Sequence, residues 1–102
     1  MTVSSAQVRR FHKKPFVTEA VRFVHLDDGG TNADMIVDWI NQTTMYVRAY
    51  KVFRSSAEVV VVIPNRLDRH QQAVVGDWIV RGVNDEFRPE KPDLFAALYE
   101  EV

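Results

Sequence analysis

The sequence predicts one α+β domain in which an antiparallel or mixed sheet of about four or five strands packs on one main helix. Three observations carry this prediction. Apolar side chains recur at helical spacing in residues 32–41, and residues 59–63 form a β-branched run typical of a central strand. Residues 76–102 show the pattern of a strand, a reversal, an extended segment and a short C-terminal helix. A chain of 102 residues has the usual size of one domain.

Composition narrows the class of protein. With 46% apolar residues the chain is too hydrophobic to be disordered, and the absence of cysteine excludes disulfides, thiolate metal sites and a cysteine nucleophile. The longest apolar run, residues 59–63, is too short to cross a bilayer, and the N-terminus lacks the apolar core of a secretory signal. The net charge of −1 provides no overall attraction for nucleic acid or an anionic membrane. We therefore expect a cytoplasmic protein without a membrane partner.

The N-terminus, residues 1–14, is interpreted as a flexible basic arm ahead of a folded domain at residues 15–102. Residues 1–7 are polar and aperiodic. The cationic cluster that follows comprises Arg9, Arg10, Lys13 and Lys14. Such a cluster can contact phosphates, or it can be a solvated approach to the first strand in which lysines protect a sheet edge. We favour the second interpretation, because a few basic residues near a terminus are common.

The first half of the domain is predicted to contain a strand, a loop and the main helix. Residues 16–24 alternate as a strand with apolar groups on both faces, which indicates partial cover on each side. The breaker Asp-Asp-Gly-Gly at residues 27–30 precedes Thr31, a good N-cap, and Asn41 ends the helix. The apolar stripe of this helix comprises Ala33, Ile36, Val37 and Ile40.

Two strands are predicted next, at residues 45–53 and 58–63. The second contains the β-branched run, which requires cover on both faces, so we place it at the centre of the sheet. Residues 66–72 are interpreted as an exposed connection, and residues 73–75 as a short strand before the turn at Gly76.

The C-terminal block is predicted to form a hairpin and a short helix. Residues 78–83 read as a strand, and Asn84 and Asp85 reverse the chain. Pro92 suits the first position of a helix, where Asp93 complements the helix dipole. The buried face of this helix is predicted to comprise Leu94, Phe95 and Leu98. Residues 99–102 are expected to finish as a strand.

This block also resembles a known family. Residues 76–100 read GDWIVRGVNDEFRPEKPDLFAALYE. They are similar to the C-terminal pattern of a widespread family of small phage and prophage proteins, roughly G-D-W-I-I-x-G-V-x-G-E-F-Y-P-C-K-P-D-I-F-x-x-x-Y-E. The start, residues 13–20, resembles the family's K-K-P-V-x-x-E-A opening, and residues 31–40 resemble a helix of its actinobacteriophage members. Residues 43–73 are not constrained by the resemblance.

Three departures from the family pattern matter. Asp85 replaces the usual turn glycine, so the turn type can differ, while Arg88 replaces a tyrosine and Glu90 a cysteine. A function carried by that cysteine cannot operate in this chain. The family has no agreed activity, so the resemblance implies a phage origin and a similar fold but no chemistry.

No residue pattern indicates catalysis, a metal or a cofactor. The carboxylates of the C-terminal block, Asp77, Glu86 and Asp93, are better explained by a turn, a hairpin and a helix start than by a catalytic pair held about 5–10 Å apart. The histidines, which lack the i, i+4 spacing of a metal site on one helix, are His12, His25 and His70. No serine lies in a nucleophile elbow, and the sequence contains no glycine-rich phosphate loop.

Aromatic residues offer the best candidates for contacts with a partner. Trp78 precedes an apolar strand and is interpreted as a core residue, whereas Trp39 lies at the margin of the helical stripe and suits either the core or an interface. Tyr46, Arg48 and Tyr50 share one face of their predicted strand. This face fits a base-stacking platform or, as we favour, the solvent-facing side of an antiparallel strand.

With the resemblance, these observations favour a non-catalytic phage accessory protein that binds a host protein in the host cytoplasm, outside the virion, and modulates or harms the host. The expected partner-contacting residues are Trp39, Arg48, Tyr50, Arg66 and Arg69. The residues of the C-terminal block expected to be structural are Gly76, Asp77, Trp78, Pro92, Asp93 and Phe95. The alternative is a small nucleic-acid-binding module that uses the basic arm and the Tyr46, Arg48, Tyr50 face, and an enzyme acting through Asp77 and Glu86 is least favoured. We expect a monomer or small homo-oligomer without a cofactor.

Overall fold

The backbone forms two antiparallel sheets, one main helix and a short C-terminal helix in the residues that the computed structural model describes, 8–13, 16–67 and 69–102. This confirms the predicted α+β class, with the correction that the strands divide into two sheets instead of one. No helix within these residues is long and apolar enough to cross a membrane.

The larger sheet has five strands. They are β1 (Arg9–Lys13), β2 (Phe16–Arg22), β6 (Trp78–Arg81), β7 (Phe87–Glu90) and β8 (Glu100–Glu101), in the order β7-β6-β2-β1-β8. The smaller sheet comprises β3 (Tyr50–Phe53), β4 (Val59–Pro64) and β5 (His70–Ala73), in the order β3-β4-β5. The helices are α1 (Ala33–Thr43) and α2 (Pro92–Leu98).

Both faces of the five-stranded sheet are covered. Val21 and Ile79 lie opposite each other in register and share a core with Ile36 of α1 and with β4 of the smaller sheet. Ala20 and Val80, one residue along, point to the other face, where they share a second core with α2. Because successive side chains of a strand alternate between faces, this double cover accounts for the apolar residues on both sides of β2.

The structure corrects the prediction of a flexible basic arm for residues 9–13. Residues 9–13 form β1, which lies inside the sheet between β2 and β8. Phe11 anchors this strand, because its ring is buried edge-on against Trp78 and Phe95 at centroid distances of 5.0 and 4.9 Å. Arg9 joins the same cluster and lies 3.4 Å from Glu101. The rest of the predicted arm, residues 1–7 and 14, lies outside the described residues.

Helix α1 has the predicted buried stripe but a different N-cap. Asn32, not Thr31, occupies the cap position. The Asn32 side chain accepts a hydrogen bond from the Val24 N–H and donates one to the Arg22 carbonyl, both at 2.8 Å. An amide supplies both a donor and an acceptor, so Asn32 satisfies the backbone at the end of β2 while Thr31 bonds the N–H of Ala33.

The strand predicted at residues 45–53 begins only at Tyr50. Asn41 explains the difference, because its side chain accepts from the Ala49 N–H at 2.8 Å and donates to the Ala49 carbonyl at 3.0 Å. These local bonds replace a strand ladder. Tyr46 and Arg48 therefore lie in a connecting loop, and the predicted strand face shared by Tyr46, Arg48 and Tyr50 is wrong.

The β-branched strand is central, as predicted, but the exposed connection after it is shorter than expected. Residues 70–73 form β5, paired with β4. Asn65 makes this return tight, because its side-chain oxygen accepts from the N–H groups of Leu67 and Arg69 at 2.9 and 3.1 Å. A separate short strand was expected at residues 73–75. Of these residues only Ala73 lies in a strand, as the last residue of β5.

At the C-terminus, α2 begins at Pro92 as predicted, but its buried face differs. Phe95 is buried, whereas Leu94 and Leu98 are 49% and 40% exposed. Phe95 is the buried residue of this seven-residue helix, and it stacks on Tyr99 at 4.6 Å. The preceding hairpin reverses at Asn84 and Asp85, whose φ angles of 59° and 58° show that residues of this type can replace a turn glycine.

Candidate functional site

Arg66 ties three loops together at the surface. Its guanidinium carbon lies 4.4 Å from the centre of the Tyr46 ring, in the loop between α1 and β3. Its Nη2 donates to the Asn84 carbonyl at 2.9 Å, and its Nε lies 3.8 Å from Glu86 Oε2, both in the β6–β7 hairpin. Arg66 itself belongs to the β4–β5 turn. One side chain therefore contacts two loops besides its own.

Large apolar side chains are exposed on two of these loops. Met45 is 94% exposed, Tyr46 74% and Leu67 76%. Tyr46 stacks on Arg66, Met45 precedes Tyr46 in the chain, and Leu67 follows Arg66. Single exposed apolar residues are ordinary, but their concentration around an ordered cation is typical of interaction sites. We call this region the three-loop surface; it comprises Met45, Tyr46, Arg48, Arg66, Leu67 and His70.

A groove of about 480 Å³ runs through the three-loop surface. It is lined by Tyr46, Val47, Arg48, Pro64, Asn65, Arg66 and His70. Arg48 is held beside it by a 3.2 Å hydrogen bond from Nη1 to the Asn41 carbonyl. Tyr50 stands edge-on to His70 with ring centroids 6.5 Å apart. The groove thus combines aromatic rings with two arginines, of which Arg66 has Glu86 as a neighbouring anion.

The structure therefore brings some predicted contact residues together and separates others. Arg48 and Arg66 line one groove, and Tyr50 borders it through His70. Trp39 is half-buried and packs edge-on against Phe87 at 5.0 Å, so it contributes to the first core. Arg69 is exposed on the β4–β5 turn but does not line the groove.

Three members of the surface were missed by sequence reasoning: Met45, Leu67 and His70. Met45 was placed on an alternating strand, where alternation normally buries one face. Leu67 lay in a segment interpreted only as a connection. The available signal was the polar turn sequence from Asn65 onward, which favours a tight turn and hence an exposed leucine at its tip.

Asp77 occupies a buried turn at the start of β6. Its Oδ2 accepts from the Val74 N–H at 3.0 Å, and its Oδ1 lies 3.2 Å from Lys91 Nζ. Its carbonyl accepts from the Phe23 N–H at 2.9 Å, and Gly76 before it has a φ of 103°, which favours glycine. The carboxylate is therefore engaged with the backbone of its own turn and with the residue that precedes α2.

Three aromatic residues of the C-terminal block form one stack. Trp78 lies parallel to Phe95 at 4.1 Å with an interplanar angle of 5°, and Phe95 in turn stacks on Tyr99. Pro92 is the first residue of α2, and Asp93 lies exposed in its first turn. These contacts connect β6 to α2 through side chains rather than through the sheet ladder.

The proposed catalytic carboxylates contact different loops. Asp77 is bonded within its turn, whereas Glu86 faces Arg66 in the hairpin. Within residues 8–13, 16–67 and 69–102, no group of three or more histidine, aspartate or glutamate residues could hold a metal ion. The side chain of His12 lies outside this description.

Comparison with protein-family models finds no match, and comparison with curated proteins and with solved structures finds no significant one. The contacts described above therefore carry the functional argument.

Proposed function

We propose that this chain is a non-catalytic phage accessory protein that binds a host protein through the three-loop surface and acts in the host cytoplasm. The observation that carries the binding role is Arg66, which contacts two loops besides its own and stacks on the exposed Tyr46 ring beside a groove. The phage origin rests on the resemblance of the C-terminal block.

The composition of the surface suits a protein partner. Tyrosine, arginine and methionine are enriched in protein interfaces, and tyrosine and arginine are frequent hot spots. Arg66 and Arg48 are already held by hydrogen bonds to the Asn84 and Asn41 carbonyls. Less side-chain freedom is lost on binding when a side chain is ordered beforehand, so more of the contact energy contributes to affinity.

Two of the departures of the C-terminal block from the family pattern are neighbours in the structure. Arg88 and Glu90, which replace a tyrosine and a cysteine, lie 3.6 Å apart as an ion pair. Arg88 Nη2 also donates to the Tyr99 hydroxyl at 2.9 Å. The two residues that depart from the family pattern therefore interact with each other within this chain.

A nucleic acid is the second candidate partner. The observation that favours it is the stacked pair of Tyr46 and Arg66 with Arg48 in the same groove, since bases stack on tyrosine rings and phosphates bind arginine. The net charge of −1 and Glu86 beside Arg66 count against it. The protein partner remains the first choice.

Matched variants test the proposal. The tagged protein is used to capture partners from an actinobacterial host lysate, alongside Leu67→Ser and Arg66→Gln. The matched controls are Leu94→Ser, which alters a leucine 49% exposed on α2, and Arg54→Gln, which alters an exposed arginine in the turn between β3 and β4. Circular dichroism melts verify that all four variants fold.

We expect one defined host protein to be recovered with the parent and both controls, and to be lost with both surface variants. Growth inhibition on expression in the host should follow the same division. Recovery of that protein with folded Leu67→Ser and Arg66→Gln would refute the three-loop surface as the binding site. Nuclease-sensitive recovery would transfer support to the nucleic-acid alternative.

A further inference from the structure

A second site is suggested by a cleft that the three-loop surface does not use. The cleft has a volume of about 660 Å³ and lies where β1, β2, β6 and the β6–β7 hairpin meet Tyr99. Pockets that bind small molecules usually have volumes of about 300–1,000 Å³. The cleft is therefore large enough for a compact organic ligand.

The walls of the cleft are largely apolar. They include Val17, Val80, Val83 and Tyr99. Val17 is 44% exposed and Val83 76% exposed, although both border a concave surface. A ligand with an apolar body would cover these side chains and remove their area from water.

The cleft also contains cations whose charges are balanced to different extents. Arg81 is compensated, because its Nε lies 2.8 Å from Asp85 and its Nη1 2.9 Å from Glu19. Hydrogen bonds to Asp85 and then to Glu19 raise the pKa of Arg81 above its ordinary value. Two nitrogens of Arg81 are thus paired with carboxylates, and we do not assign this arginine to the ligand.

The positive charges of Arg88 and Arg10 are less closely balanced by carboxylates than that of Arg81. Arg88 is hydrogen-bonded to the Tyr99 hydroxyl, and its acid partner Glu90 lies 3.6 Å away, beyond ordinary hydrogen-bond length. Its Nη1 lies only 3.0 Å from the position that a Cβ on Gly82 would occupy, so the absence of a side chain at Gly82 leaves room for the guanidinium at the cleft wall. Arg10 is exposed, and Glu19, which lies opposite it in the β1–β2 register and also lines the cleft, forms its ion pair with Arg81.

We propose that this cleft binds a small organic carboxylate with an apolar body. Arg88 and Arg10 are the groups that attract the carboxylate, and Val17 and Val83 contact the apolar body. Guanidinium groups suit a carboxylate because they donate two parallel hydrogen bonds, and an apolar surround strengthens such charge-assisted bonds. The site is independent of the proposed function, since Arg66 and the three-loop surface take no part in it.

The test is an NMR titration of the full chain with phenylbutyrate, octanoate and indole acetate. Phenylbutanamide, which keeps the apolar body and lacks the charge, is the matched ligand control. We expect at least one carboxylate to shift the amide signals of Thr18, Gly82 and Val83 in a saturable way. Loss of a charge-assisted hydrogen bond should weaken binding of the amide by about tenfold or more.

Protein variants separate the charge from the fold. Arg10→Gln and Arg88→Gln should each weaken carboxylate binding by about fivefold or more, whereas Arg54→Gln, outside the cleft, should not change it. Because Arg88 also bonds Tyr99, the exposed Arg10 provides a variant that keeps the fold. Absence of saturable shifts up to about 5 mM with all three carboxylates, or equal binding of phenylbutanamide, overturns the proposal. Host-protein capture by Arg10→Gln should be unchanged, which distinguishes this site from the three-loop surface.

Discussion

Removing the carboxylate of Asp77 should destabilise the fold mainly through one backbone hydrogen bond. Asp77 is 3% exposed, and its Oδ2 accepts from the Val74 N–H at 3.0 Å. Asp77→Ala leaves that N–H without a partner, which costs about 1–3 kcal/mol. The pair with Lys91 adds little, because the lysine side chain is 72% exposed and such pairs contribute about 0–1 kcal/mol.

Together these contributions give a loss of about 1–4 kcal/mol in the free energy of unfolding for Asp77→Ala. For a domain of this size the melting temperature should fall by about 5–20 °C. Asp77→Asn keeps an oxygen acceptor for the Val74 N–H, so it should lose less than about 1 kcal/mol. Lys91→Met should lose less than about 1 kcal/mol as well.

Urea denaturation of the three variants, monitored by tryptophan fluorescence and circular dichroism, measures these differences. Asp93→Ala, which alters an exposed carboxylate in the first turn of α2, is the control for a simple loss of negative charge. A cost for Lys91→Met equal to that of Asp77→Ala would refute the reasoning, because the ion pair would then dominate. Equal costs for Asp77→Asn and Asp77→Ala would refute it too.

Four further predictions concern the core, the loops and the alternative function. Ile36→Ala, at a fully buried position, should lower stability by about 2–5 kcal/mol, and an unchanged urea midpoint would show that α1 does not face the core. Trp78→Ala should cost about 3–5 kcal/mol; a variant that melts like the parent yet captures no partner would make the C-terminal block itself the interaction site. Asn41→Ala should cost about 1–3 kcal/mol in the same assay, because both backbone groups of Ala49 lose their partner. In gel shifts at physiological salt we expect only weak, non-specific binding of DNA or RNA, and tight, sequence-selective retention would favour the nucleic-acid alternative.

The elements that could be predicted from the sequence are those whose pattern is local. The stripe containing Ile36 and Ile40 repeats with the period of a helix, and both of these side chains are fully buried as expected. The run at β4 is β-branched throughout, and it lies at the centre of its sheet. In both cases the residues that determine the element lie within it.

The errors arise where a distant or single side chain decides the backbone. Residues 45–49 alternate like a strand, yet Asn41 binds both backbone groups of Ala49 and prevents a ladder there. Residues 9–13 resemble a solvated arm in composition, yet Phe11 packs edge-on against the stacked rings of Trp78 and Phe95, which are far away in the sequence. Periodicity contains no information on such contacts, so these elements were misassigned.

Some residues of the three-loop surface could be predicted from the sequence as partner contacts, but their proximity to one another could not. Arg48 and Arg66 were selected individually, and only the turn at Asn65 and the register of β4 with β5 bring Arg66 next to Tyr46. Trp39 was an equal candidate on the same reasoning. Its contact with Phe87 depends on the position of β7, which no local pattern around the helix reveals.

The position of the three-loop surface depends on how the two sheets are joined. Gln71 of β5 donates from its side-chain nitrogen to the carbonyls of Ile63 and Phe87, each at 3.1 Å. The first carbonyl belongs to the smaller sheet and the second to the first residue of β7, so one amide connects the sheets next to the β4–β5 turn and the β6–β7 hairpin. Arg66 then spans from that turn to the Asn84 carbonyl of the hairpin. The arrangement of the surface is thus a consequence of sheet packing, and a partner would meet loops whose spacing is set before it binds.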